Sequence, residues 1–311
     1  MIDVENLSKR YGSTVAVDGV SFTVRPGRVT GFLGPNGAGK STTMRMMLEL
    51  DRPTTGRVLI DGRRYRQLPA PLRQVGALLE ARTAHGGRTA YHHLLWLARS
   101  NRIPSTRVRE VLALVGLEQL AAKRVGGFSL GMAQRLGLAA ALLGDPPVLV
   151  LDEPVNGLDP EGIRWIRNLL KDLAGQGRTV FVSSHLMAET ALTAEHLIVI
   201  GRGRLLADTG VQEFIRANSR SWVRIRTPEP ERLRDVLTAA GIATTTATDG
   251  ALEAHHTEAC AIGELVAANG LAVHEMSTLT ASLEEAFIRL TGNEVQYRAE
   301  DAAYPAQGQQ S

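Results

Sequence analysis

Residues 34–42 read GPNGAGKST, and this stretch decides the fold. It fits the pattern G-x-x-x-x-G-K-[ST] through Gly34, Gly39, Lys40 and Ser41. A loop of Gly34, Pro35, Asn36, Gly37, Ala38, Gly39, Lys40, Ser41 and Thr42 would cradle phosphates with backbone N–H groups. Its glycines let the backbone come close to the anion. Lys40 would reach the β- and γ-phosphates, and the Ser41 hydroxyl would sit on Mg²⁺. The flanks agree: VTGFL (29–33) is a short apolar run rich in β formers, and TTMRMMLEL (42–50) is a helical pattern. A strand, a glycine loop and a helix N-terminus together make an anion site.

A second motif, PVLVLDEP (147–154), is an apolar strand that ends in two carboxylates. Val148, Leu149, Val150 and Leu151 show no polar alternation, which suits a parallel strand buried on both faces. Asp152 can hold Mg²⁺, directly or through water. Glu153 can accept a proton from an attacking water or orient it.

Residues 128–135 read FSLGMAQR. A Ser hydroxyl and a Gly amide at a helix N-terminus form another anion site, and Ser129 is also a good N-cap for the Ala/Leu-rich stretch that follows. With this third motif the chain resembles the ATP-binding subunits of ABC transporters. Their signature is Leu-Ser-Gly-Gly-Gln, and its five positions are held here by Phe128, Ser129, Leu130, Gly131 and Met132. Ser129 and Gly131 keep the family's phosphate-contacting pair. The departures at Leu130 and Met132 resemble the drug- and bacitracin-type exporter branch.

The resemblance extends over residues 1–292 and implies further roles. Tyr11 would stack on adenine. Asn156, Gly157, Leu158 and Asp159 would touch the partner subunit, and His185 would contact the γ-phosphate. Where the family usually places Gln near Mg²⁺, this chain has Glu80, a variation that bacitracin-type exporters share. The family's mechanism also accounts for an incomplete site. The signature lies too far along the chain to close on the same nucleotide as its own phosphate loop. Two subunits packed head to tail would therefore sandwich two ATP molecules, each signature capping the other subunit's γ-phosphate.

Composition bounds the class. A chain of 311 residues suggests one large domain and a small one, and 44% hydrophobic content is ample for a core. Its longest apolar run, residues 136–144, falls well short of the roughly 18–20 residues of a membrane span. The first residues carry no signal-peptide pattern. Cys260 is the sole cysteine, which excludes an internal disulfide and fits a reducing compartment. A formal charge of +3 is too weak to imply nucleic acid. Arg63, Arg64 and Arg66 read as a solvated face, and His92–His93 and His255–His256 as non-ligands.

The expected fold class is α/β: a phosphate-loop ATPase core with an antiparallel β region and a helical subdomain at about residues 81–145. Helix starts are expected at Thr89, Ser105 and Ser129. A terminal hairpin is expected over 196–210. Beyond the ATP-binding domain (1–217), residues 218–292 read as strand–helix–strand–strand–helix–strand, which predicts a small ferredoxin-like α+β module. The module's hairpin turns at Asp249–Gly250, its fourth strand is LAVHEMS (271–277), and a helix over SLEEAFIRLTG closes the unit. Residues 293–311 read as a disordered tail.

The implied function is ATP hydrolysis, with ATP and Mg²⁺ as cofactors. Expected partners are a second copy or a paralogous ATP-binding subunit and separate transmembrane permease subunits, met around residues 80–100. The expected location is peripheral, on the cytoplasmic face of the membrane. Export of a drug or peptide antibiotic is the implied task, with a lipid or other hydrophobic cargo as an alternative. A second alternative, a soluble ABC ATPase acting on ribosomes or nucleic acid, is opposed by the single cassette and the lack of heptads and cysteine clusters. A third, a non-hydrolysing regulatory subunit, is opposed by Glu153 and His185.

Overall fold

The computed structural model describes residues 1–80, 84–218, 221–255, 257–280 and 282–291. Alternating apolar and polar residues at the start form two long strands, β1 (Ile2–Tyr11) and β2 (Thr14–Val24), paired antiparallel. The uniformly apolar run that follows becomes β3 (Val29–Leu33), buried at every position. The glycine loop leads directly into α1 (Lys40–Met47). Next, β4 (Thr55–Ile60) returns to pair with β1.

A short helix α2 (Pro71–Gln74), started by its proline, runs into β5 (Val75–Leu78). Three helices then form the expected helical region: α3 (Ala90–Ser100), α4 (Thr106–Leu114) and α5 (Leu130–Leu142). Their N-caps are Thr89, Ser105 and Ser129. The Thr89 and Ser129 side chains accept from backbone N–H groups three residues on, whereas Ser105 makes no such bond. Ser105 already has helical backbone angles (φ −65°, ψ −21°), so it cannot present its hydroxyl as a cap does.

The chain then alternates through β6 (Val148–Leu151), α6 (Pro160–Gly175), β7 (Thr179–Ser183), α7 (Met187–Thr193) and β8 (His196–Gly201). β9 (Arg204–Gly210) pairs antiparallel with β8, the predicted hairpin, and α8 (Val211–Asn218) follows. The last part holds β10 (Ser221–Arg226), α9 (Pro230–Ala239), β11 (Thr244–Thr246), β12 (Leu252–His255), α10 (Ala259–Ala268), β13 (Glu275–Thr280) and α11 (Leu283–Thr291).

The strands make three sheets: β2-β1-β4, β5-β6-β7-β3-β8-β9 and β11-β12-β10-β13. In the second, every pair is parallel except β8 with β9. Its strands feed two cores at once, because successive side chains point to opposite faces. Leu149, Leu151, Val180 and Val182 join the helical layer, while Val148, Val150 and Phe181 meet the antiparallel sheet. There Phe22, Phe32 and Phe181 stack, with ring centroids 5.0–5.9 Å apart. Such aromatic contacts bind the two layers beyond simple burial.

In the third sheet all pairs are antiparallel, and β10 and β12 turn Val223, Ile225, Leu252 and Ala254 toward α9 and α10. The hairpin turns at Gly250, whose φ is +81°. The fourth strand lies later than the sequence predicts. LAVHEMS was expected to pair, but β13 is Glu275–Thr280. Leu271 is instead buried in this unit's own core, and pairing with β10 begins at Glu275.

The closing helix also differs from expectation. It was placed with the module of 218–292, yet α11 packs on α7 and α8. Its Leu283, Ala286 and Phe287 join the core that contains Met187, Val211 and Phe214. The apolar stripe of LEEAFIRLT thus completes the ATP-binding body rather than the sheet that precedes it. The tail expected over 293–311 lies outside the described residues. Among the described residues no helix is long and apolar enough to cross a membrane.

This packing sets an expectation for Phe287, which is 7% exposed. Phe287→Ala should lower the unfolding free energy by about 3–5 kcal/mol, read as a fall in the urea midpoint at unchanged slope. Ile288→Ala, on the solvent side at 59% exposure, should change it by less than about 0.5 kcal/mol. Equal effects of the two substitutions would contradict the docking of α11.

Candidate functional site

The phosphate loop spans the end of β3 and the start of α1, and its course leaves no room for side chains at two glycines. A Cβ at Gly34 would stand 2.5 Å from the Ile200 carbonyl oxygen. At Gly39, where φ is +103°, it would stand 2.4 Å from the Ala16 carbonyl oxygen. The loop therefore runs hard against β2 and β8, and this contact shapes its curve. Asn36, Gly37, Gly39, Lys40, Ser41 and Thr42 line one cavity of about 420 Å³. Gly34, Pro35 and Ala38 do not line it, and the Ala38 N–H closes a turn on the Pro35 carbonyl at 3.1 Å. Lys40 donates to the Gly34 carbonyl at 2.6 Å and to that of Pro35 at 3.2 Å. Burial pushes the Lys40 ammonium below its ordinary value, while Glu153 and Asp152 pull it back up.

The acidic pair faces the loop across the same cavity, which Asp152, Glu153 and Asn156 also line. β6 lies next to β7, and the ends of these strands interlock. Ser183 donates its hydroxyl to Asp152 Oδ1 and accepts from the Glu153 N–H at 2.9 Å. Glu153 has φ of +50°, a costly angle for a residue with a side chain. Its surroundings hold it there. Gln134 Nε2 donates to its carbonyl at 2.9 Å, and the His185 backbone N–H donates to Oε2 at 3.3 Å. His185 Nδ1 lies 2.6 Å from the same oxygen. The predicted base and the predicted γ-phosphate histidine are thus in direct contact.

Two residues of this corner escaped the sequence reading. Gln134 belongs to the FSLGMAQR stretch and Ser183 to TVFVSSH, but neither type announces that it will hold the backbone of Glu153. Gln134 is 3% exposed and stands one helical turn past Ser129, on α5. It thereby ties the signature helix to the backbone of Glu153.

The other predicted residues are distributed around this centre. Ser129 caps α5 and is exposed; neither it nor Gly131 lines the phosphate cavity. Gly131 abuts the Gly157 carbonyl, which a Cβ would approach to 2.7 Å, so the signature packs on its own chain's Asn156–Asp159 loop. Leu79 reaches the phosphate cavity, but Glu80 lines a neighbouring groove of about 350 Å³ together with Arg45, Tyr65 and His93. Burial, followed by the Arg88 charge, pushes the His93 imidazole below its ordinary value. Tyr11 stands half-exposed at the end of β1. His92 Nδ1 lies 2.8 Å from Thr89 Oγ1 at a helix start, and no group of three potential metal ligands occurs among the described residues.

Mg²⁺ keeps several waters and is bound by one or two carboxylates plus substrate phosphates. Ser41 and Asp152 line the same cavity and supply a hydroxyl and a carboxylate. The structure does not bring Glu80 into that cavity with them.

Comparison with known proteins agrees with this geometry. The family described as ABC transporter matches residues 17–156, and a domain of unknown function matches residues 221–284. An uncharacterized ABC transporter ATP-binding protein of Bacillus subtilis is 37% identical over 297 residues, covering 94% of this chain and 96% of that protein. A bacitracin transport ATP-binding protein of Enterococcus faecalis is 34% identical over 299 residues, again covering 94% and 96%. Among solved structures, a dimeric ATP-binding cassette in a post-hydrolysis state with ADP and Pi is similar at TM-score 0.61 and 26% identity. The likeness covers 68% of this chain and 98% of that one.

The placement of Lys40 predicts a specific loss. Charge-assisted bonds of the type it would make to phosphate are worth about 1.5–3 kcal/mol. Lys40→Ala should therefore weaken nucleotide binding by about 10- to 100-fold in a fluorescent-ATP titration. Unchanged affinity would remove the loop from the binding site.

Proposed function

The chain belongs to the ABC transporter ATP-binding proteins, and on that basis we propose that it is the ATP-hydrolysing subunit of an exporter for a drug or peptide antibiotic. Its similarity to a bacitracin transport ATP-binding protein supports the cargo class. One observation carries the mechanism. The phosphate loop and the acidic pair share a cavity that the chain's own Ser129 and Gly131 do not line. A second copy, or a paralogous subunit, would supply that signature to each γ-phosphate. Two ATP molecules would then hold the interface together, and hydrolysis would release it.

Each residue has a role in this reading. Lys40 and the loop N–H groups bind the β- and γ-phosphates. Ser41 and Asp152, which line the same cavity, would hold Mg²⁺, and the ion would supply charge neutralisation at the phosphates. Glu153 takes the proton from the attacking water. His185, at 2.6 Å from Glu153, keeps that carboxylate oriented and meets the γ-phosphate. Tyr11 stacks on adenine.

Work passes to separate transmembrane permease subunits, met by residues 80–100 around the groove of Glu80. The chain then acts at the cytoplasmic face of the membrane. We divide it into an ATP-binding domain (1–217) and an accessory module from 218 that docks its last helix on the first domain. The sheet order β11-β12-β10-β13, with two helices on one face, supports a ferredoxin-like module.

Glu153→Gln tests the mechanism. It should keep ATP binding while turnover falls by about 100-fold or more. With hydrolysis blocked, Mg-ATP should trap a dimer visible by size-exclusion chromatography. A variant that hydrolyses ATP at the parent rate would remove Glu153 from the chemistry.

A further inference from the structure

Tyr11 is 48% exposed, yet it is held from two sides. Its hydroxyl donates to Asp51 Oδ2 at 3.1 Å. Lys9 Nζ stands 4.8 Å from the ring centroid, over one face, and donates to the Arg52 carbonyl at 2.7 Å. Asp51 in turn accepts from Arg45 Nε at 2.8 Å. Arg45 belongs to α1, the helix that begins at Lys40. The ring is therefore linked, through Asp51 just past α1, to Arg45 on the phosphate-loop helix.

The electrostatics fit this arrangement. Arg45 holds the Asp51 carboxyl below the usual carboxylate range, so it is an ionised acceptor near neutral pH. Partial desolvation, and then Asp51, hold the Tyr11 phenol above its ordinary value, so its hydroxyl remains a donor. Exposed pairs of this kind add little to stability. What they change is the ring's freedom. A stacking platform that is already immobile loses less entropy when its ligand arrives. Lys9 occupies one face of the ring, which remains half-exposed.

On the reading of the adjoining cavity as an ATP site with Tyr11 as its adenine platform, we propose that Asp51 is a positioning residue for nucleotide binding. It orients Tyr11 for stacking, and Arg45 ties that platform to the helix that carries the phosphate loop. Asp51 touches no part of the substrate itself. Base and triphosphate are thereby presented at a set spacing, because Asp51 joins the ring on β1 to Arg45 on α1, the helix that begins at Lys40.

Calorimetric titration of the full chain separates the two ends of the ligand. The probes are AMP-PNP, which carries the base and is not hydrolysed, and inorganic tripolyphosphate, which has no base. Asp51→Ala should weaken AMP-PNP binding by about three- to tenfold, a part of what base stacking contributes. Tripolyphosphate binding should stay unchanged. The KM for ATP should rise by the same factor, with kcat within about twofold of the parent. Asp51→Asn, which keeps an acceptor oxygen for the Tyr11 hydroxyl, should recover most of the loss. In a Tyr11→Ala background Asp51→Ala should add nothing. Equal weakening of tripolyphosphate, or an undiminished effect without the Tyr11 ring, would overturn the proposal. If Tyr11→Ala weakens AMP-PNP binding while Asp51→Ala does not, the proposal alone fails. If Tyr11→Ala leaves AMP-PNP binding unchanged, the adenine-platform reading fails and the proposal falls with it.

Discussion

The carboxyl ends of three adjacent parallel strands carry the phosphate loop and the acidic corner of the candidate site. β6, β7 and β3 lie side by side, and each is buried on both faces. None can shift without opening two hydrophobic layers, one helical and one built on the antiparallel sheet. Their ends present Asp152 and Glu153, then Ser183 to His185, then the phosphate loop. In open α/β sheets, ligands bind in the crevice outside the carboxyl ends of the strands. The aromatic contact among Phe22, Phe32 and Phe181 holds two of these strands to the second layer.

Precision at the acidic corner comes from hydrogen bonds rather than burial. Glu153 keeps an unfavourable positive φ because three neighbours hold it: Ser183 at its N–H, Gln134 at its carbonyl and His185 at its carboxylate. These neighbours arrive from β7, α5 and the loop before α7. Gln134 thus couples α5 to the backbone of Glu153.

The C-terminal region divides in an unexpected place. A four-stranded sheet with α9 and α10 has its own core, but the last helix returns to α7 and α8. α7 starts at Met187, two residues past His185. The last helix and the helix that follows His185 thus share one packed layer.

Local chemistry made much of this legible. A glycine-rich loop between an apolar run and a helical pattern has few other uses, so GPNGAGKST announced its strand, turn and helix. Uniformly apolar VLVL declared a buried parallel strand, and Thr89 and Ser129 announced helix starts through capping. Only the tertiary structure decided the rest. The Glu153 shell joins residues far apart in the chain, and neither Ser183 nor Gln134 carries a local signature of that task. LEEAFIRLT shows an amphipathic stripe, but an apolar stripe does not say which of two cores it completes. β13 begins at Glu275 because register is set by its partner β10 and by Leu271 filling a core, and both are properties of the assembled sheet. Sequence by itself determined which pieces form and what chemistry they carry; long-range packing decided which pieces meet, because those contacts depend on partners distant in the chain.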